Sequence, residues 1–144
     1  MAIETCRTVV YPWQCDAMRH FATQHYMRVF DDATWQLLGY LGYQPRDAGS
    51  TRRGWVDVRH EINYRRELLS GDLLVTRSFV ARVGTKSITY EHRMHRAQGA
   101  KEICATMVGV AAFFDLERRV ALEITEELRK AAEGFGADPA NILE

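Results

Sequence analysis

Residues 13–41 read WQCDAMRHFATQHYMRVFDDATWQLLGYL, a short stretch with one carboxylate that runs directly into a long amphipathic pattern. From Thr23 to about Leu41, apolar side chains recur at steps of three and four residues, the spacing of one helix face. The pattern predicts a long helix with Thr23 as its N-cap and Gly42 as its stop. Additional apolar residues widen the face, so we expect this helix to be buried on more than one side: Met27, Trp35 and Leu38.

Strand patterns lie on both sides of this helix. Residues 4–10 before it are short, β-branched or apolar, and Pro12 closes that run. After the helix, residues 42–54 have the composition of a loop. Four strand-like runs follow, separated by tight turns: 55–64, 73–83, 88–96 and 103–114. The last of them is apolar on both faces, which predicts a strand in the middle of a covered sheet.

The run at 55–64 alternates in polarity. Its even positions are mainly apolar or aromatic, which predicts a half-buried strand. They are Val56, Val58, His60, Ile62 and Tyr64. His60 lies on that apolar face, so we expect it to be a hydrogen-bonded histidine of the core or of an interface.

The order of these elements predicts the architecture. One strand, one long helix, four consecutive strands and a second, shorter helix at 125–132 favour an α+β fold in which a curved antiparallel sheet wraps around one long central helix. A chain of 144 residues buries roughly 70% of the surface that its unfolded form exposes. We therefore expect residues 1–144 to form a single domain.

Composition narrows the classes of function. Nineteen basic residues balance nineteen acidic ones, so no net field attracts nucleic acid, and we expect no nucleic-acid partner. The three cysteines are odd in number and widely spaced, which argues against a disulfide framework or a zinc site and favours the cytoplasm. No apolar run approaches the roughly 20 residues of a membrane span, and the N-terminus has no signal-peptide pattern.

Asp16 is the candidate catalytic residue. It lies a few residues before the predicted helix, whose first backbone N–H groups are unpaired and carry partial positive charge. Acyl transfer needs a base or nucleophile beside donors that stabilise an oxyanion. The backbone N–H groups of Phe21, Ala22 and Thr23 are the candidate donors. The pattern favours a hydrolase, and a carboxylate that only caps the turn or the helix is the alternative.

The same stretch resembles the hot-dog fold and, within it, the 4-hydroxybenzoyl-CoA thioesterase-like family of acyl-CoA thioesterases. Asp16, His20 and Tyr26 fall in register with the family pattern before and inside the helix. Residues 62–72 are similar to the family's turn between its second and third strands. The pair of Asp115 and Arg118 resembles the end of its last strand. The resemblance extends over roughly residues 9–119 and implies the hot-dog fold.

Two positions depart from the family pattern. Arg19 stands where the family usually has Gly, and Ala22 and Thr23 stand where Asn is common. An Arg cannot follow Gly freely into positive φ. Either the loop takes a different path, or Arg19 serves the substrate.

The resemblance implies an acyl-CoA thioesterase in which Asp16 is the nucleophile or the general base. His20 is the second catalytic candidate and orients the substrate carbonyl or the loop; the alternative is a neutral His that only packs and hydrogen-bonds locally. No cofactor or metal is implied, since the CoA thioester is the substrate. Family members build the site between subunits, so a homodimer or homotetramer is expected. Coenzyme A carries several phosphates and should meet arginines at the cleft mouth, as should an acyl carrier protein. The candidates are Arg65, Arg66 and Arg118, with Arg52 and Arg53 a further pair.

Other titratable residues offer weaker candidates. Asp31 and Asp32 lie two turns into the helix and are the alternative source of a catalytic carboxylate, although we expect one to be exposed and the other to pair with an Arg. His92 and His95 are an odd number of positions apart in a strand, so they face opposite ways and do not share a metal. No metal-binding or phosphate-binding motif is present.

Three rival functions remain open at this point. The first is hydration or dehydration of an acyl thioester on the same fold, which needs a His and a carboxylate across the cleft. The second is a non-catalytic acyl-thioester-binding protein, in which the departures at Arg19 and Ala22 have removed activity. The third is an oligomeric scaffold.

Overall fold

The computed structural model describes residues 1–99 and 102–136. The strands are β1 (Ile3–Val9), β2 (Arg53–Tyr64), β3 (Leu73–Val83), β4 (Ser87–Arg96), β5 (Ile103–Asp115) and β6 (Val120–Ala121). The helices are α1 (Thr23–Tyr40), α2 (Ala48–Thr51) and α3 (Glu126–Gly134). The part of the predicted domain beyond residue 136 lies outside the described residues. No helix among those described is long and apolar enough to span a membrane.

The strands form one antiparallel sheet in the order β1-β3-β4-β5-β2, with β6 paired to β5. The sheet curls around α1, so the predicted α+β architecture is confirmed. β5 lies between β4 and β2, as its two apolar faces predict. β1 and β2 are the two edges of the sheet, and α1 packs against β1 and β3.

Helix α1 buries the face that its periodicity predicts. Its buried residues are Tyr26, Val29, Phe30, Ala33, Thr34, Leu37 and Leu38. The N-cap is Ala22 rather than Thr23, and no side chain caps the helix. The reason is that Ala22 N–H donates to Gln14 O (2.9 Å) and holds Ala22 extended, so Thr23 is already helical. Gly42 ends the helix with φ 90°, as predicted.

The region after α1 differs from its prediction in two respects. Residues 42–54 are not a plain loop, because a 3-10 turn at Pro45–Asp47 and the single turn of α2 lie within them. β2 is also less buried than its alternating pattern predicts, since Val56 is 37% exposed and Val58 is 64% exposed. β2 is an edge strand, and its register against β5 shifts between Asp57 and Arg59, which interrupts the alternation beside these two side chains.

A buried polar network joins α1 to the sheet. His92 on β4 is fully buried, and its Nδ1 lies 2.5 Å from Ser78 Oγ while its Nε2 lies 2.9 Å from Thr34 Oγ1 on α1. Thr5 Oγ1 extends the network from Ser78 to β1. Burial among hydroxyl groups lowers the pKa of His92 to about 3, so a neutral imidazole holds the elements together.

Candidate active site

Asp16 opens a tight turn between the 3-10 segment Pro12–Gln14 and α1. Its N–H donates to His20 O (2.9 Å), and Arg19 N–H donates to Asp16 O (2.9 Å). One carboxylate oxygen, Oδ1, accepts from the backbone N–H groups of Met18 (2.9 Å) and His20 (3.3 Å). The other oxygen, Oδ2, has no hydrogen-bond partner among the described residues. The turn therefore fixes the carboxylate and leaves one oxygen for a ligand.

Arg19 adopts φ 65°, in the left-handed region that favours glycine. A residue with a Cβ pays about 1–2 kcal/mol for this conformation. The turn therefore keeps at Arg19 the left-handed conformation that Gly would adopt, and it does so with local backbone strain. The side chain of Arg19 is exposed and makes no ion pair with any described residue.

The backbone donors near the start of α1 fall into two groups. Phe21 N–H donates to Leu68 O (2.8 Å) and Ala22 N–H donates to Gln14 O (2.9 Å), so both are already satisfied within the protein. These two N–H groups are therefore not free donors in this structure, whereas the third predicted donor, Thr23, lies in the other group. Thr23 N–H and Gln24 N–H, the first two of the helix, donate to no backbone carbonyl among the described residues.

A cavity of about 390 Å³ brings most of the predicted residues together. It is lined by Asp16, Met18, His20, Phe21, Thr23, Tyr26, Tyr64, Arg65, Arg66 and Glu67. The two other predicted residues of this turn, Arg19 and Ala22, are not among the lining residues. Asp16 and the helix start at Thr23 thus face the same space, as an acyl-transfer site requires.

An aromatic wall forms one side of this cavity. The Tyr26 ring lies 4.8 Å from the Phe21 ring and 5.0 Å from the Tyr64 ring, measured between centroids. Burial raises the pKa of Tyr26 to about 12, so its hydroxyl is neutral at physiological pH. The wall offers apolar contact beside Asp16 without adding a second charge.

Glu67 is a cavity residue that the sequence does not single out. Its Oε2 lies 3.4 Å from Nε2 of His20, and both side chains line the cavity. The backbone bridge between His20 and Leu69 brings the Asp16 turn against this segment. No spacing pattern links two residues so far apart in the chain, although the run of Arg65, Arg66 and Glu67 after β2 is a visible charge cluster.

The three candidate CoA-binding arginines do not lie together. Arg65 lines the cavity and its side chain makes no ion pair with a described residue, while Arg66 pairs with Glu102 at 2.6 Å. Arg118 lies in the turn after β5, at the opposite end of the β2–β5 ladder from Tyr64. Within one chain the structure therefore does not bring Arg118 to the cavity.

The alternative carboxylates lie outside the cavity. Asp32 is 3.7 Å from Arg28 on the same helix face, which confirms the expected pairing. Burial, followed by the charge of Asp57, raises the pKa of Asp31. Neither residue is among those that line the cavity. Among the described residues, no three His, Cys, Asp or Glu side chains are grouped so that they could hold a metal ion.

Comparison with known proteins places this geometry in a family context. A family model described as the thioesterase-like superfamily matches residues 10–132. Among curated proteins, 94 residues are 32% identical to the dynein-1-alpha heavy chain of the flagellar inner arm I1 complex from Chlamydomonas reinhardtii. That match covers 65% of this chain but only 2% of the length of that protein.

Solved structures share the fold. A hypothetical protein from Staphylococcus aureus in complex with CoA superposes with a TM-score of 0.84 at 12% identity, over 94% of this chain and 85% of that one. The probable thioesterase YbaW from Escherichia coli superposes with a TM-score of 0.77 at 22% identity, over 95% of this chain and 99% of that one. A 1,4-dihydroxy-2-naphthoyl-CoA thioesterase from Synechocystis superposes with a TM-score of 0.79 at 12% identity, over 92% of this chain and 96% of that one. At these identities the similarity is one of fold.

Proposed function

The chain belongs to the thioesterase-like superfamily, and on that basis we propose that it hydrolyses an acyl-CoA thioester to the free acid and CoA at the Asp16 cavity. The observation that carries the proposal is the meeting, in one cavity, of a carboxylate with a free oxygen and the N-terminus of a long helix. The reaction forms a bond between a water oxygen and the acyl carbon, and it breaks the C–S bond so that the thiol of CoA leaves.

Asp16 is the reacting carboxylate in this proposal. Two backbone N–H groups hold Oδ1, so Oδ2 is the oxygen that either takes a proton from water or attacks the acyl carbon itself. The Thr23 and Gln24 N–H groups at the positive end of α1 are the donors for the oxyanion that forms. Removing one such donor in comparable sites costs roughly 10²–10³ in rate.

His20 and Glu67 form a supporting pair. The 3.4 Å contact between His20 Nε2 and Glu67 Oε2 orients the imidazole at the edge of the cavity, where it positions the thioester. Arg65 supplies an unpaired positive charge for the CoA phosphates, and Arg19 adds positive charge on the Asp16 turn. The phosphate of an acyl carrier protein's prosthetic group would meet the same charges.

We further propose that the working unit is a homodimer that pairs through β2, or a homotetramer made of two such dimers. Among the described residues, β2 has ladder partners only on β5, so one backbone edge is open. Antiparallel pairing of two β2 edges about a twofold axis continues the sheet from one copy into the other.

The proposal is tested by incubating the purified protein with short, medium, long and aromatic acyl-CoAs and measuring free thiol. We expect thiol release from at least one class, and none above background from Asp16→Ala. No turnover together with measurable CoA binding would support the non-catalytic binding protein instead. Neither turnover nor binding would leave the oligomeric scaffold as the function.

The contact of His20 with Glu67 favours a second candidate function, the hydration of an unsaturated acyl thioester. That reaction needs a His and a carboxylate in one cleft, and Glu67 provides the carboxylate beside His20. Hydration adds water to the acyl chain and leaves the C–S bond intact. Mass analysis of the products therefore separates it from hydrolysis, because only hydrolysis releases CoA.

A further inference from the structure

The β2–β3 connection, residues 65–72, forms one side of the Asp16 cavity. Three of its residues line that cavity: Arg65, Arg66 and Glu67. Leu68 is fully buried, but the residues on either side of it are exposed. A segment with a single buried apolar side chain has few packing contacts to fix it. Its position therefore depends on its hydrogen bonds and ion pairs.

The connection contacts the Asp16 turn through both its main chain and a side chain. Leu68 O accepts from the backbone N–H of Phe21 (2.8 Å). Glu67 Oε2 lies 3.4 Å from Nε2 of His20. A shift of the connection would therefore move the Glu67 carboxylate relative to His20, the pair that the proposed function places beside the thioester.

Arg96, the last residue of β4, joins the connection to the sheet. Its register partner on β3 is Leu74, which is fully buried, so the Arg96 side chain lies on the core face. Its Nη2 donates to Glu67 O (2.6 Å), and its Nε lies 3.2 Å from Asp72 Oδ2. One guanidinium thus binds the connection at two points, which its rigid fork of donors allows.

Asp72 ties the far end of the connection into the same arrangement. Its Oδ2, which faces Arg96, also accepts from the backbone N–H of Leu69 (2.9 Å). The side chains of Arg96 and Asp72 are 34% and 23% exposed. Because the pair is partly shielded from water, its attraction is screened less than that of an ion pair on the open surface. The Arg96 guanidinium therefore restrains the connection without any ligand.

We infer that Arg96 is a positioning residue of the Asp16 cavity, which holds the β2–β3 connection so that the Glu67 carboxylate meets His20. The inference rests on the proposed function, because Arg96 acts through the pair that positions the thioester. Arg96 is not among the residues that line the cavity. A misplacement of about 1 Å that originates away from the chemistry can cost on the order of 10² in rate. A contact behind the cavity wall can therefore affect kcat.

Arg96→Gln is the first test. We expect kcat to fall about tenfold, as in Glu67→Gln, because the carboxylate is no longer held against His20. KM should stay within about twofold of wild type, since no contact with the substrate is removed. Steady-state kinetics with one acyl-CoA measures both constants. Wild-type kcat in Arg96→Gln would overturn the inference.

The matched control is Arg93→Gln on the same strand. Arg93 forms an ion pair with Glu91 at 2.6 Å, and the two side chains are 19% and 21% exposed. The control therefore breaks a pair that is at least as shielded as that of Arg96. We expect wild-type kcat from it. An equal fall in both variants would overturn the inference, because any weakened ion pair on β4 would then lower the rate.

A double variant separates positioning from a general structural role. If Arg96 acts through Glu67, then Arg96→Gln combined with Glu67→Gln should have a kcat within about twofold of the lower single variant, because coupled residues share one contribution. Independent effects would multiply to a loss of about a hundredfold. That result, or wild-type kcat in Glu67→Gln alone, overturns the inference, because Arg96 then does not act through Glu67.

Arg96→Lys tests the two-point contact and replaces Arg96→Gln if that variant does not fold. Lys keeps the charge beside Asp72 but lacks the fork that also reaches Glu67 O. We expect a kcat between those of wild type and Arg96→Gln, again without a further loss when Glu67→Gln is added. A multiplied loss in that combination would also overturn the inference.

The failures of the two proposals are distinguishable. Full activity in Asp16→Asn contradicts the proposed function, whatever Arg96 does. An inactive Asp16→Asn together with wild-type kcat in Arg96→Gln contradicts only the inference.

Discussion

The Asp16 turn and the Asp115 turn have nearly the same local geometry at opposite ends of the sheet. Each Asp accepts two backbone N–H groups on Oδ1: Met18 and His20 at the first turn, Glu117 and Arg118 at the second. Each turn also closes with an Arg at positive φ, 65° for Arg19 and 60° for Arg119, whose N–H donates to the Asp carbonyl.

The surroundings of the two turns differ. Asp16 lines a cavity with the N-terminus of α1 and with the His20–Glu67 pair, whereas Asp115 leads into the short strand β6 and is not in that cavity. Both carboxylates therefore cap a turn, and this structural role does not by itself identify a catalytic carboxylate. The neighbouring helix terminus and the free Oδ2 in a cavity are what set Asp16 apart.

The largest expected difference between the turns is in activity. Asp16→Asn keeps an oxygen that can accept the Met18 and His20 N–H groups but removes the base, so we expect thiol release to fall by roughly 10²–10⁴. Asp115→Asn should leave the rate within about twofold of wild type, since it makes the same local change away from the cavity. Equal losses in the two variants would show that the turns, and not the cavity, support activity. Steady-state kinetics with one acyl-CoA measures both.

The supporting pair gives a smaller effect. Glu67→Gln and His20→Asn should each lower kcat by about tenfold. The first removes the carboxylate that orients the imidazole, and the second removes the imidazole that positions the thioester. The double variant should lose little more than either single one, since the two act as a unit. Glu117→Gln, in the other turn, is the control and should have wild-type kcat. Additive losses in the double variant would separate the roles of His20 and Glu67.

Glycine at the strained positions tests the shared geometry. Arg19→Gly and Arg119→Gly each relieve the left-handed strain. After the entropy cost of Gly we expect Arg19→Gly to stabilise the fold by about 0.5–1 kcal/mol, which in a chain of 144 residues raises Tm by about 2–4 °C. Arg119→Gly should stabilise the fold less, because it also removes the guanidinium that lies 5.4 Å from the centroid of the Phe114 ring. Only Arg19→Gly should also raise KM, by a few-fold, because Arg19 adds positive charge on the turn that carries Asp16. Thermal unfolding and kinetics of the two variants check both statements.

The smallest expected effect concerns acid stability. Hydrogen bonds from the backbone N–H groups of Arg118 and Glu117 lower the pKa of Asp115. A lowered folded-state pKa stabilises the fold above the unfolded pKa of about 3.8 and loses that effect as pH falls through the folded value. The stability gap between wild type and Asp115→Asn should therefore narrow from pH 5 to below pH 3. A gap that widens on acidification, in urea titrations at the two pH values, would contradict this account.

The sequence predicts the elements well where side-chain periodicity is strong. The apolar steps through Phe30 and Leu37 predict α1, and the limits of β3 agree with the run at 73–83. Periodicity does not predict the exposure of Val56 and Val58, because it shows neither that β2 is an edge strand nor that its register against β5 shifts between Asp57 and Arg59. The alternating pattern of β2 predicts an apolar face but not whether that face is buried.

The site is predicted less completely than the fold. Asp16, His20 and Arg65 were singled out and do line one cavity, since they lie in motifs that local sequence defines. Of the three candidate donors, Phe21 and Ala22 are already hydrogen-bonded, which the sequence does not show because their bonds to distant carbonyls depend on the tertiary fold. Glu67 is not predicted for the same reason. The roles of Asp16, His20 and Arg65 in catalysis stay predictions.

Isotope labelling of the product tests the central proposal most directly. An acyl-CoA that wild type cleaves is incubated in H₂¹⁸O with wild type and with Asp16→Asn, and the released acid and CoA are analysed by mass spectrometry. We predict that wild type yields CoA and an acid carrying one ¹⁸O, and that Asp16→Asn yields neither above the uncatalysed background. Acid formed by Asp16→Asn at the wild-type rate, or ¹⁸O found in an intact acyl-CoA, would contradict hydrolysis at the Asp16 cavity.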